Sequence, residues 1–69
     1  MDVIRLRDEY IKLGQALKAA GLVDSGAEAK EVIVEGSVKV NEETDTRRGR
    51  KLYAGDIITF NGVEVKIEN

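Results

Sequence analysis

A chain of 69 residues with net charge −2, 42% hydrophobic residues and 35% charged residues reads as one globular domain rather than a disordered segment. At that length it buries only roughly 60% of its unfolded surface, so its core must be well packed. With one Phe, two Tyr and no Trp that core is aliphatic, and the absence of Cys and His excludes disulfides, thiolate or imidazole metal sites, thiol nucleophiles and His general bases.

The opening MDVIRLRDE has no apolar run of the signal-peptide kind. No segment approaches the ~20 apolar residues of a membrane span, so a soluble, cytoplasmic protein with no membrane partner is expected. Val3 to Arg7 alternates, with Ile4 and Leu6 set against Arg5 and Arg7, and predicts a short strand with one wet face. From Tyr10 the period changes. Leu13, Ala16, Leu17 and Ala20 fall at helical spacing, and Gly21 is a natural stop. Ser25-Gly26-Ala27-Glu28 has the form of a capping box, in which the hydroxyl accepts from the Glu28 N–H and the carboxylate reaches back. A second helix follows with Ala29, Val32 and Ile33 as its apolar stripe, ending at Glu35-Gly36.

Ser37 to Asn41 alternates again, and a polar stretch from Glu42 to Lys51 comes next. Leu52 and Tyr53 return to apolar character, and Ala54-Gly55-Asp56 reads as a turn. Ile57 to Phe60 predicts a strand. Asn61-Gly62 is a two-residue hairpin signal, and Val63, Val65 and Ile67 alternate in the last strand. The predicted order is strand, helix, helix, strand, strand, strand, an α+β fold in which two helices pack on a small, mostly antiparallel twisted sheet.

One stretch stands against the acidic balance of the chain. TDTRRGRK gathers Arg47, Arg48, Arg50 and Lys51 into its last five positions. Net charge is a poor guide where charges are segregated, because the local field decides which ligand is drawn in. Arginine forks bind phosphate bidentately and stack on unpaired bases. The plainer use is a surface loop whose arginines pair with Glu42, Glu43 and Asp45, and exposed pairs of that kind are worth only about 0–1 kcal/mol.

The run from Tyr10 to Phe60 resembles the S-four RNA-binding domain, named after a small-subunit ribosomal protein. Its pattern is carried by Ser25, Ala29, Lys30, Val32, Ile33, Gly36, Val38, Val40, Asn41, Leu52, Gly55 and Asp56. No single element is specific, whereas the combination in order and spacing is. The small free-standing bacterial subgroup, in which RRGRKLY precedes the Gly-Asp turn, is the most similar. Many members have Arg-Leu-Asp at the start of helix one, Arg after the helix-two Ser, and Asn-Gly after the Val-x-Val strand. Here those positions hold Lys12-Leu13-Gly14, Gly26 and Asn41-Glu42.

The resemblance implies a single domain over residues 1–69, with the two-helix αL motif in a core of about residues 10–60. It implies a monomer that binds the backbone and shape of structured RNA, ribosomal RNA or tRNA first, on or off a ribosomal subunit. Candidate RNA-binding residues are Lys12, Gln15 and Lys18 on helix one, and Ser25, Gly26 and Lys30 on helix two. Arg47, Arg48, Arg50 and Lys51 complete the set from the loop. Ser25-Gly26 has two readings, an ordinary cap or a phosphate contact at a helix N-terminus. Tyr53 is expected beside Leu52 in the core, with stacking on a base as its other use, and Gly55-Asp56 is structural.

No catalytic residue, cofactor or metal is expected. Carboxylates are the only common catalytic groups present, and Asp24 and Glu28 sit where acids favour a helix dipole. A protein–protein adaptor is the alternative function. An RNA binder requires its basic residues on one face with the acids elsewhere, whereas an adaptor predicts interleaved charges or an exposed apolar patch.

Overall fold

The structure, a computed structural model, describes residues 2–69. Strand β1 (Asp2–Arg5) is followed by a two-residue strand β2 (Ile11–Lys12), helix α1 (Leu13–Ala19) and helix α2 (Gly26–Val34). Five strands complete the chain: β3 (Val38–Val40), β4 (Glu43–Thr44), β5 (Lys51–Leu52), β6 (Ile57–Phe60) and β7 (Val63–Glu68). The larger sheet has the order β1-β7-β6-β3-β4, and β2 pairs with β5 in a separate two-stranded ladder. Among the described residues only β1–β7 is parallel, with Ile4 opposite Ile67; every other pairing is antiparallel. This is the α+β, mostly antiparallel arrangement that the alternating segments imply. No helix of the described residues is long and apolar enough to cross a membrane.

One aliphatic core joins both helices to the sheet. Leu13, Ala16 and Leu17 of α1 are fully buried, as are Ala29 and Ile33 of α2. They meet Val38, Leu52, Ile58, Val65 and Ile67, which are equally inaccessible. Helical spacing in one half and alternation in the other therefore place the same kind of side chain on one interior surface. Both helices stop as their glycines suggest. Gly21 and Gly36 take positive φ (73° and 84°), and the residue after each donates its N–H five residues back, Leu22 to Leu17 and Ser37 to Val32. Asn61 and Gly62 close the β6–β7 hairpin with Phe60 opposite Val63.

Three local expectations are corrected. Periodicity starts helix one at Tyr10, but Ile11 and Lys12 pair with Leu52 and Lys51, so the helix begins at Leu13. A pattern count sees the apolar spacing and not the distant strand that claims the first residues. Tyr53 is 44% exposed instead of lying in the core. Leu52 takes the inward position of β5, and the next residue of an extended chain points to the opposite face. Finally, Ser25 Oγ accepts from the Glu28 N–H (3.1 Å), but Glu28 Oε1 accepts from the Asp24 N–H (2.8 Å), one residue before the cap.

Candidate nucleic-acid interface

The loop from Asp45 to Arg50 is organised by its one acid. Asp45 is buried, and its Oδ1 accepts from the Arg47 N–H (2.9 Å) and Arg47 Nε (3.1 Å). Its Oδ2 accepts from Arg47 Nη2 and Arg50 Nη1, both at 2.8 Å. The Arg47 guanidinium holds the Asp45 carboxyl well below the usual carboxylate range. Burial opposes this, and Arg50 with the Arg47 backbone N–H adds to it. In turn Asp45 raises the Arg47 guanidinium. Two of the four cations in TRRGRK are thereby fixed by a carboxylate that the sequence reading treats only as one of three possible partners. The signal was present, since an Asp two residues ahead of a backbone N–H in a polar stretch is the pattern of an Asx turn.

This ordered loop is attached to the start of α1. The first backbone N–H groups of a helix have no partner within it. Here Leu13 N–H donates to the Arg50 carbonyl (2.8 Å) and Gly14 N–H to the Arg48 carbonyl (3.1 Å). Arg48 therefore lies over the beginning of α1, with its aliphatic stem against Gly14. On the same turn, Lys12 N–H donates to Gln15 Oε1 (3.3 Å).

The result is a cavity of about 340 Å³ between α1, the start of α2 and the loop. Lys12 at the end of β2 with Gly14, Gln15 and Lys18 of α1 form one wall, Gly26 and Ala29 the α2 wall, and Arg48 and Gly49 the loop wall. Three cations converge on it, and none of the chain's 13 acids lines it. Across the β2–β5 ladder Lys12 also faces Lys51. Like charges placed opposite one another are destabilising unless something compensates. Lys51 has found its own partner, because its Nζ lies 4.8 Å above the centre of the Tyr10 ring.

Of the ten candidate residues, the cavity brings together Lys12, Gln15, Lys18, Gly26 and Arg48. Ser25 serves as the cap of α2. Lys30 is exposed on α2 and lines a separate depression with Ala27, Glu31, Val34 and Glu35. Arg47 and Arg50 hold Asp45, although the Arg47 side chain is still 71% exposed and Arg50's is 28%. Gly14, which the sequence marks only as a departure from the family pattern, is the place where loop and helix touch.

A two-helix motif packed on a mixed sheet, with a basic cavity beside the helix start, is the architecture of a small α+β module, and the chain belongs to the S4 domain family, whose model matches residues 4–68. Among its relatives is the Bacillus subtilis protein RlbA, named a probable ribosome maturation protein. The two are 49% identical over 59 residues, 86% of this chain and 83% of RlbA. Escherichia coli YbcJ is 40% identical over 58 residues, 84% of this chain and 83% of its own. The solution structure of YbcJ, described as revealing an αL motif involved in RNA binding, superposes with a TM-score of 0.77 at 36% identity. That likeness covers all of this chain and 89% of YbcJ.

Proposed function

We propose that this chain is a non-catalytic, cytoplasmic RNA-binding protein, a single domain acting as a monomer, that grips the phosphate backbone of structured RNA. The observation that carries this reading is the cavity where Lys12, Lys18 and Arg48 converge with no carboxylate among the lining residues. Such a site attracts a polyanion, and phosphate contacts of this kind fix register without reading sequence. Gln15 and the open backbone at Gly26 offer neutral contacts beside the cations. Lys51, opposite Lys12, and the largely exposed Arg47 side chain add cations on the loop side, Lys30 lies apart beside Glu31 and Glu35, and Ser25, Arg50 and Asp45 hold the helix start and the loop in place. The names of the relatives, a ribosome maturation protein and an RNA-binding αL protein, support ribosomal RNA, on or near a ribosomal subunit, as the first ligand to try; tRNA is the second.

The test is binding to ribosomal RNA and ribosomal subunits at several salt concentrations, with wild type beside a Lys18→Glu, Arg48→Glu double variant. The three cations of the cavity predict a slope of log affinity against log salt of about −3 for duplex RNA, by analogy with the counterion release measured on DNA. The double variant loses about two units of that slope. An absence of salt-sensitive binding to any RNA sinks the proposal and moves the function to a protein-binding adaptor.

A further inference from the structure

A second cavity, of about 460 Å³, adjoins the first, and Gln15 lines both. Its volume lies in the range that accommodates small-molecule-sized groups, about 300–1,000 Å³. Ile4, Leu6 and Ile11 supply apolar wall, and Arg5, Arg7 and Tyr10 supply cations and a ring. Asp8 is the one acid on its lining. Arg7 has no ion-pair partner among the described residues, and Arg5 donates to the backbone oxygen of Asn69 (3.2 Å). Tyr10 is half-buried and leans on Tyr53, with ring centres 5.9 Å apart and planes tilted by 52°. These two rings continue the β2–β5 ladder, one pair beyond Ile11 and Leu52.

Resting on the reading that RNA backbone occupies the first cavity, we propose that the second takes an unpaired base of the same RNA. The base lies against the part of Tyr10 that lines this cavity, to which Lys51 does not contribute, and its flanking phosphates lie on Arg5 and Arg7. Apolar wall, ring and guanidinium in one hollow suit a nucleotide better than a bare anion, since bases stack on aromatic side chains and on Arg planes. Gln15 stands between the two cavities, so one strand passing over it runs from a phosphate-holding end at Arg48 to a base-holding end at Tyr10. The preferred RNA is then a duplex that ends in, or is interrupted by, a single-stranded nucleotide.

Three hairpin RNAs sharing one duplex test this by fluorescence anisotropy: a blunt form, one with a short adenosine overhang, and one with the same overhang made abasic. Wild type binds the adenosine overhang roughly tenfold more tightly than the abasic one, the effect of a single stacked base. Tyr10→Leu reduces that ratio to near one, Tyr10→Phe retains it, Arg7→Ala weakens both overhang forms alike toward the blunt one, and Arg48→Glu weakens all three RNAs alike. Arg7 is exposed and outside any strand, so the loss of overhang over blunt preference in its variant reports on this cavity even if Tyr10→Leu unfolds. Equal binding of adenosine and abasic overhangs by wild type overturns this proposal while leaving the first cavity's role intact, as does a ratio that survives Tyr10→Leu or an overhang preference over blunt RNA that survives Arg7→Ala. If wild type binds none of the three RNAs, the reading of the first cavity falls and this one falls with it.

Discussion

Gly14 donates its backbone N–H to the Arg48 carbonyl, and a Cβ at position 14 would fall 2.8 Å from Arg48 Cγ. That distance is shorter than a carbon–carbon contact tolerates, and the atom that must yield, Arg48 Cγ, moves only if the whole side chain swings about its first torsion. Gly14→Ala is therefore expected to push the Arg48 guanidinium out of the cavity while leaving the fold intact. Helix propensity favours Ala by up to about 1 kcal/mol, which offsets the cost of the local shift. The melting temperature should change little, and RNA affinity should fall by roughly tenfold, the loss of one charge-assisted contact. Thermal melts alongside anisotropy titrations check both halves.

Arg48 and Arg50 should separate cleanly. Arg48 donates no side-chain hydrogen bond within the described residues, whereas Arg50 Nη1 donates to the buried Asp45 carboxylate (2.8 Å). Arg48→Ala is expected to lower RNA affinity and leave stability within about 0.5 kcal/mol of wild type. Arg50→Ala leaves Asp45 short of a partner and should cost about 1–2 kcal/mol, visible in urea melts, before any ligand is added. Equal stability of the two variants would contradict the loop geometry.

Asp45 should impose an acid limit. Its carboxyl is held below its unfolded value, so its stabilising contribution is present above about pH 4 and is lost as pH falls from there toward the folded-state value. Asp45→Asn removes the charge that organises Arg47 and Arg50, at an expected cost of about 1–3 kcal/mol near neutral pH. The gap between wild type and Asp45→Asn in denaturant melts should narrow as pH drops below about 4. A gap that stays constant with pH would show that the carboxylate's charge is not what holds the loop.

The β3–β4 hairpin offers a stabilising change. Asn41 and Glu42 both take positive φ (51° and 72°), in a two-residue turn that joins Val40 to Glu43. Asn41 tolerates this and is held further: its Nδ2 donates to Asp56 Oδ1 (3.0 Å), and its Oδ1 accepts from the Ile57 N–H (2.9 Å). Glu42 has no such compensation, and an L-residue in this region costs about 1–2 kcal/mol. Replacing it with Gly relieves the strain but adds unfolded-chain entropy of roughly 0.5–1 kcal/mol. A net gain of about 0.5–1 kcal/mol is expected for Glu42→Gly, read as a higher urea midpoint with an unchanged slope.

Residue spacing along the chain was enough to set the interior and most of the element order. Leu13, Ala16 and Leu17 at helical spacing, and Val38, Val40, Val65 and Ile67 in alternation, can be buried together in few ways, and all of them are buried. Helix stops at Gly21 and Gly36 and the turn at Asn61-Gly62 were legible for the same reason, because each depends on the backbone chemistry of one or two residues. The tertiary structure alone decided which cations share a surface. In TRRGRK four like charges are indistinguishable by composition, and the fold gives each a different neighbour. Arg47 and Arg50 turn to Asp45, Lys51 covers Tyr10, and Arg48 crosses Gly14 to meet Lys12 and Lys18. Two-residue strands such as β2 and β5 were equally hidden. They exist because Ile11 meets Leu52 some forty positions away, and local periodicity carries no record of a partner that distant.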